Sequence, residues 1–362
     1  MSNEYKLPAS NDTAADVDEA TAANNTINKT EMKAFLEFLS ADKKLVGPVD
    51  TGKVIEFREA PAADILMDDL VSYISIKEYY FPQSELMFTF ENDDITDKSD
   101  MPGYIIFGAK PCDLEALRVM SIVYSSGKYA DPFFQRRFDA NFLIGIGCKN
   151  RKPECFCDEM GINMEFSDFC DIILVDEGDS YRVALTSEKG QNALNSFYSA
   201  KSKTAEPSPC LEPVRRSSQV LPTSRLRDNG IGPLTGPDTE YFECIDWATV
   251  TQTCRGCGIC TYVCPTCYCF NFRDVCEKGE AKRYKCWDSC MYPKFTLHAS
   301  GHNPREQRFE RYRQRVLHKY KYVPDNFEGA VACTGCGRCV RGCPVGINIK
   351  EILMQVKAAS NK

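Results

Sequence analysis

Histidine is scarce in this sequence, with three residues in 362, and none of them stands in a metal-binding spacing such as H-E-x-x-H. The sequence also lacks a P-loop and a G-x-G-x-x-G motif after a strand, so it carries no recognisable nucleotide site. Its apolar runs are much shorter than the ~20 residues that cross a bilayer, which predicts no membrane span. These absences disfavour an enzyme that works alone.

A positive excess of charge is also missing. The net charge is −7, and the chain therefore has no broad positive field of the kind that phosphate-backbone binding requires, which disfavours a nucleic-acid partner. The N-terminus has no basic segment followed by an apolar core, so it does not read as a secretory signal. We therefore expect a cytoplasmic protein.

Cysteine is abundant instead, with 20 residues. In the cytoplasm thiols are normally kept reduced, so this number favours metal ligation over a disulfide framework.

The length and composition predict four segments. Residues 1–28 are rich in Ala, Asn, Thr and Asp and are expected to be a disordered tail. Residues 29–200 alternate strand-like and helix-like patterns, which indicates an α/β (α+β) domain with its first helix capped by Thr30. Residues 201–240 are rich in Pro and Ser and read as a linker, and residues 241–362 form a cysteine-dense unit.

The cysteine-dense unit contains an internal repeat. CRGCGICTYVCP at 254–265 and CTGCGRCVRGCP at 333–344 both read C-x2-C-x2-C-x3-C-P. In this run three closely spaced thiolates hold one iron–sulfur cube while the fourth reaches the other cluster. The sequence therefore predicts two 4Fe-4S clusters.

The crossing rule assigns four cysteines to each cluster. The first set is Cys254, Cys257, Cys260 and Cys343, and the second set is Cys333, Cys336, Cys339 and Cys264. Structural zinc is the alternative, because two C-x2-C pairs can supply its four thiolates. Zinc sites rarely carry three Cys at x2 spacing followed by x3 and Pro, however, and here the run occurs twice.

The segment between the two motifs, Pro265 to Ala332, is longer than a small ferredoxin needs. Within it, Arg305 to Tyr322 has the composition of a well-formed helix, and Asn348 to Lys357 predicts a second helix near the end of the chain. These features predict an α-helical ferredoxin-like domain, similar to that of succinate dehydrogenase iron–sulfur subunits. The cations of the first helix either form a face exposed to solvent or dock an acidic partner protein. The segment contains five further cysteines, which are either buried and inert or have a redox or ligand role: Cys267, Cys269, Cys276, Cys286 and Cys290.

Four cysteines of the first domain form a candidate third cluster site. Cys112 and Cys148 each follow a predicted strand, which places both at the carboxyl edge of a sheet. Cys112 also precedes a helix whose N-terminal end favours a thiolate. Cys155 and Cys157 follow Cys148 closely enough to converge on the same site. The alternative is that some of them are core cysteines and that the C-x-C pair is chance or a redox pair.

The chain resembles the family of iron–sulfur electron-transfer subunits found in sulfhydrogenases (their beta subunits), in anaerobic sulfite reductase, and in the flavin oxidoreductase modules of heterodisulfide reductase complexes. The resemblance covers residues 29–362. Besides the double motif, it depends on five segments: KEYYFPQSELMFTF (77–90), FGAKPCDLEAL (107–117), DPFFQRR (131–137), GCKNRKPECFCDEMG (147–161) and GHNPREQRFERYRQRVLHKY (301–320). This chain has Gly108-Ala109-Lys110 where the family usually has Gly-Val-Arg.

The resemblance implies a subunit that relays electrons from a flavin-containing, NAD(P)H-oxidising subunit to a hydrogenase, sulfite reductase or heterodisulfide reductase subunit. The alternative is a redox-sensing or structural iron–sulfur protein without electron throughput. Two linked clusters and a third site favour the relay, because a sensor needs only one cluster.

Overall fold

The computed structural model describes residues 26–91, 94–97, 101, 103–126, 129–201, 231–277 and 280–360. The strands are β1 (Thr26–Asn28), β2 (Lys44–Asp50), β3 (Ile55–Glu59), β4 (Ser84–Glu91), β5 (Asp94–Asp97), β6 (Tyr104–Ala109), β7 (Phe142–Ile146), β8 (Ile172–Asp176), β9 (Ser180–Leu185), β10 (Phe270–Glu277) and β11 (Glu280–Trp287). The α-helices are α1 (Lys29–Leu39), α2 (Pro111–Ser125), α3 (Pro132–Ala140), α4 (Glu188–Lys201), α5 (Trp247–Val250), α6 (Ile259–Tyr262), α7 (Arg308–Leu317), α8 (Val323–Asn326), α9 (Arg338–Arg341) and α10 (Ile349–Ser360). Among these residues, no helix is long and apolar enough to cross a membrane.

A seven-stranded mixed sheet forms the first domain, in the order β1-β9-β8-β7-β6-β2-β3. The central strands β2, β6, β7 and β8 are parallel, whereas β1, β3 and β9 run antiparallel to their neighbours. Strands β6 and β7 are apolar along their length and buried, as expected for parallel strands covered on both faces. The α/β prediction for this region is confirmed.

Two details at the start of the domain differ from prediction. The side chain of Asn28, not that of Thr30, caps α1 by accepting a hydrogen bond from the backbone N–H of Glu31. Thr26–Asn28 are also not part of a tail, because they pair with β9. Residues 1–25 of the predicted tail lie outside the described residues.

A second sheet joins the two predicted units of the chain. It has the order β10-β11-β4-β5, so a hairpin from between the cluster motifs pairs with strands of the first domain. The buried side chains of Lys285 on β11 and Glu85 on β4 form an ion pair with an N···O distance of 2.9 Å. The sequence predicted helix alone in this insertion and missed the hairpin.

The predicted helices of the C-terminal unit are present as α7 and α10, and α7 continues as a single π-helical segment over His318–Tyr322. The core of this unit contains Trp247, Tyr312 and Leu353, and it also contains Phe156 and Met160 from the first domain. The segment that carries the C-x-C pair is therefore packed into the C-terminal core.

Candidate iron–sulfur centres

The two repeat loops share one backbone conformation. Gly258 and Gly337 have φ values of 79° and 69°, a left-handed conformation that glycine adopts without steric cost, and each starts a short helix, α6 or α9. These helices carry the third cysteine of each run, Cys260 and Cys339. The repeated sequence thus folds twice into the same turn.

The first loop faces a small cavity. Its lining includes Cys254, Cys257, Cys260 and Cys343. These are the four cysteines that the crossing rule assigns to the first cluster.

The second loop faces a second small cavity. Its lining includes Cys264, Cys333, Cys336 and Cys339, which is the second predicted set. Cys339 and Arg315 line both cavities. The two candidate centres are therefore neighbours.

The donor chemistry of both cavities fits an iron–sulfur cluster, because each is lined by the four thiols that such a cluster takes as ligands. In the described part of the chain, no group of three or more His, Cys, Asp or Glu side chains is placed to hold a single metal ion.

The four cysteines of the candidate third site lie near one another. Cys112 is the second residue of α2, just after β6, and Cys148 follows the neighbouring strand β7, so both occupy the predicted sheet edge. Burial, and then the nearby Cys155 and Cys148 thiols, raise the pKa of Cys157 to about 12. Burial also raises the pKa of Cys112, with Asp113, Cys336 and Cys157 adding to the effect. The helix end therefore does not make Cys112 a free thiolate, and a metal would have to displace its proton.

The C-x-C loop packs directly on the second cluster loop. The backbone N–H of Phe156 donates to the Gly335 carbonyl at 2.7 Å, and the Cys155 thiol donates to the Cys336 carbonyl at 3.3 Å. Phe156 also lines the second cavity. The third group of thiols thus lies against the second candidate centre.

Comparison with known proteins gives two matches. Residues 253–347 match the family described as a 4Fe-4S dicluster domain. The chain is similar over most of its length to sulfhydrogenase 2 subunit beta of Pyrococcus furiosus, with 28% identity over 340 residues, which covers 91% of this chain and 98% of that protein. The chain therefore contains a 4Fe-4S dicluster domain and is similar over most of its length to an iron–sulfur beta subunit. No solved structure matches the chain.

Three cations on the inner face of α7 and of the π-helical segment after it are buried, so they neither face solvent nor dock a partner. Arg311, Arg315 and Lys319 are 6%, 2% and 3% exposed. The sequence analysis did not predict that these cations are buried, although their spacing of four residues places them on one helical face.

The further thiols of the insertion differ in their surroundings. Cys267 contacts the Cys264 thiol, and Cys269 contacts the Cys290 thiol, in both cases by a side-chain hydrogen bond. The Cys290 contact outweighs burial and lowers the pKa of Cys269 to about 7. Cys276 is exposed on β10. The contacts between the inner thiols are consistent with a redox or ligand role, whereas Cys276 lies on the surface.

Proposed function

We propose that the chain is an iron–sulfur electron-transfer subunit of a cytoplasmic oxidoreductase complex. It relays single electrons between a flavin-containing, NAD(P)H-oxidising subunit and a terminal hydrogenase, sulfite reductase or heterodisulfide reductase subunit. The observation that carries this proposal is the pair of adjacent cavities, each lined by one predicted ligand set and joined through Cys339 and Arg315. The similarity to a sulfhydrogenase beta subunit supports it.

The protein residues have three tasks in this proposal. The thiolates of the two sets hold the clusters, which supply one-electron acceptance and release when bound. Buried side chains such as Tyr312 and Phe156 close the cavities against water. Buried cations offset the negative charge of the thiolates, since unpaired charge in a protein interior is costly.

A third cluster on Cys112, Cys148, Cys155 and Cys157 extends the proposal. It is supported by the mutual proximity of these thiols and by the packing of their loop on the Gly335 loop. With this third site the centres form a series from the sheet edge of the first domain to the first motif. A series of centres suits electron transfer better than sensing, which needs one.

Iron and acid-labile sulfide content of the anaerobically purified protein, combined with electron paramagnetic resonance of the reduced state, tests the cofactor part. About twelve irons per chain support three clusters, and about eight support the two motif clusters alone. Zinc in place of iron would refute the electron-transfer proposal.

Electron throughput is tested in the complex. NAD(P)H should reduce the clusters only when the flavin-containing subunit is present, and the reduced clusters should be reoxidised by the terminal subunit with its substrate. Clusters that stay oxidised under these conditions would favour the structural or sensing alternative.

A further inference from the structure

The inner face of α7 and of the π-helical segment after it carries a row of buried cations, two of which line the cluster cavities. Arg311, Arg315 and Lys319 are spaced by four residues, and each is more than nine-tenths buried. Long buried cations are rare unless they are paired, so each of them requires partners.

Two of the three cations have protein partners for their N–H groups. Lys319 Nζ donates to Cys264 Sγ at 3.2 Å, to Thr266 Oγ1 at 3.0 Å and to the Ala332 carbonyl at 2.8 Å. Arg311 donates to the backbone carbonyls of Met291, Arg305 and Glu306 at 3.0, 3.0 and 2.6 Å. Their positions are therefore explained by the protein itself.

Arg315 is different. Its Nη1 lies 3.8 Å from Cys267 Sγ, but within the described residues neither its Nε nor its Nη2 has a hydrogen-bond partner. A buried donor without an acceptor is strongly unfavourable, and more so when it is charged. Arg315 is also the cation that lines both cluster cavities.

We infer that Arg315 donates its unpaired N–H groups to sulfur atoms of both motif clusters and so raises the reduction potential of each. This inference depends on the proposed function, since it requires both clusters to be present. Reduction adds one negative charge to a cluster, and a nearby guanidinium with N–H···S hydrogen bonds stabilises that charge. Arg315 therefore raises both reduction potentials together.

Substitution tests this role. In Arg315→Gln, which removes the charge, we expect both motif clusters to be retained, with each reduction potential lowered by the equivalent of about tenfold in the one-electron equilibrium constant, or ~59 mV. Arg315→Lys, which keeps the charge but loses the planar fork, should give a smaller shift. The matched control is Arg313→Gln on the same helix, whose guanidinium lies over the Phe242 ring at 4.4 Å and donates to the Phe242 carbonyl. The control should leave both potentials unchanged.

A measurement on the unaltered protein covers the case in which the variants fail to fold. Protein with ¹⁵N in the arginine guanidinium groups should show nitrogen hyperfine coupling to both reduced motif clusters in pulsed electron paramagnetic resonance. Absence of this coupling, or unchanged potentials in Arg315→Gln with iron content retained, would overturn the inference. Because the wild type would still contain its clusters, these outcomes are distinct from a failure of the proposed function, in which the wild type itself lacks two 4Fe-4S clusters.

Discussion

Arg338 and Asp113 form an ion pair whose two side chains are completely buried, with Nη1···Oδ1 at 2.6 Å and Nη2···Oδ2 at 2.8 Å. Arg338 lies between Cys336 and Cys339 of the second motif, and Asp113 follows Cys112 of the candidate third site. This ion pair therefore links the two domains at the point where two candidate centres meet.

Asp113→Ala should destabilise the protein by about 3–5 kcal/mol, because it leaves the Arg338 guanidinium buried without its counter-charge. The matched control is Asp274→Ala, which removes an equally bidentate but exposed pair with Arg283 and should change the stability far less, because solvent screens that pair. Anaerobic thermal unfolding measures both changes. Equal effects of the two substitutions would contradict the importance of burial.

Cys257→Ser should remove or convert the first motif cluster, because Cys257 lines the first cavity. Electron throughput of the complex should be lost with it. Cys276→Ser is the control, since this thiol is exposed on β10 and should affect neither property. Iron analysis and electron paramagnetic resonance measure the first effect. A Cys257→Ser protein with both cluster signals intact would show that the ligand assignment is incorrect.

Gly335→Ala should displace the C-x-C loop and deplete the third site, with a loss of about four irons per chain. A methyl group on Gly335 would lie 2.6 Å from the backbone carbon and oxygen of Phe156, which is closer than atoms can approach. Gly346→Ala is the control for conformational cost, because Gly346 also has a left-handed φ of 68° but has nothing within 4 Å of the added carbon. Iron content distinguishes the two. The third-site proposal fails if Gly335→Ala keeps as much iron as Gly346→Ala.

His318 should make stability dependent on pH in the acidic range. Burial, and then the nearby cation Lys319, lower the pKa of His318 to about 4 in the folded protein, whereas the unfolded chain has a value of about 6.5. The unfolded state therefore binds more protons between these values, so stability decreases as pH falls from about 6.5 to about 4, by up to about 3 kcal/mol. His318→Asn should reduce this pH dependence, as measured by melting temperatures at several pH values, whereas the exposed control His302→Asn should not. Identical pH profiles of stability for the wild type and His318→Asn would show that His318 does not cause the pH dependence.

The sequence predicts some elements of the fold correctly and misses those that depend on contacts between distant residues. The apolar runs of β6 and β7 predicted strands correctly, because buried parallel strands have a local signature. The β10–β11 hairpin was missed, since its pairing with β4 joins residues about two hundred positions apart in the chain. The capping of α1 was assigned to Thr30 although Asn28, also a favoured capping residue, precedes it.

The sequence alone predicted the 4Fe-4S dicluster domain, because the spacing of cysteines along a short loop is a local property that does not depend on the tertiary arrangement. The tertiary structure decided which groups surround them. It brought the C-x-C loop onto Gly335, buried Asp113 against Arg338, and turned Arg315 inward between the two cavities. These contacts depend on how the two domains pack, and a helix with several cations has the same composition whether its face meets solvent or a cluster.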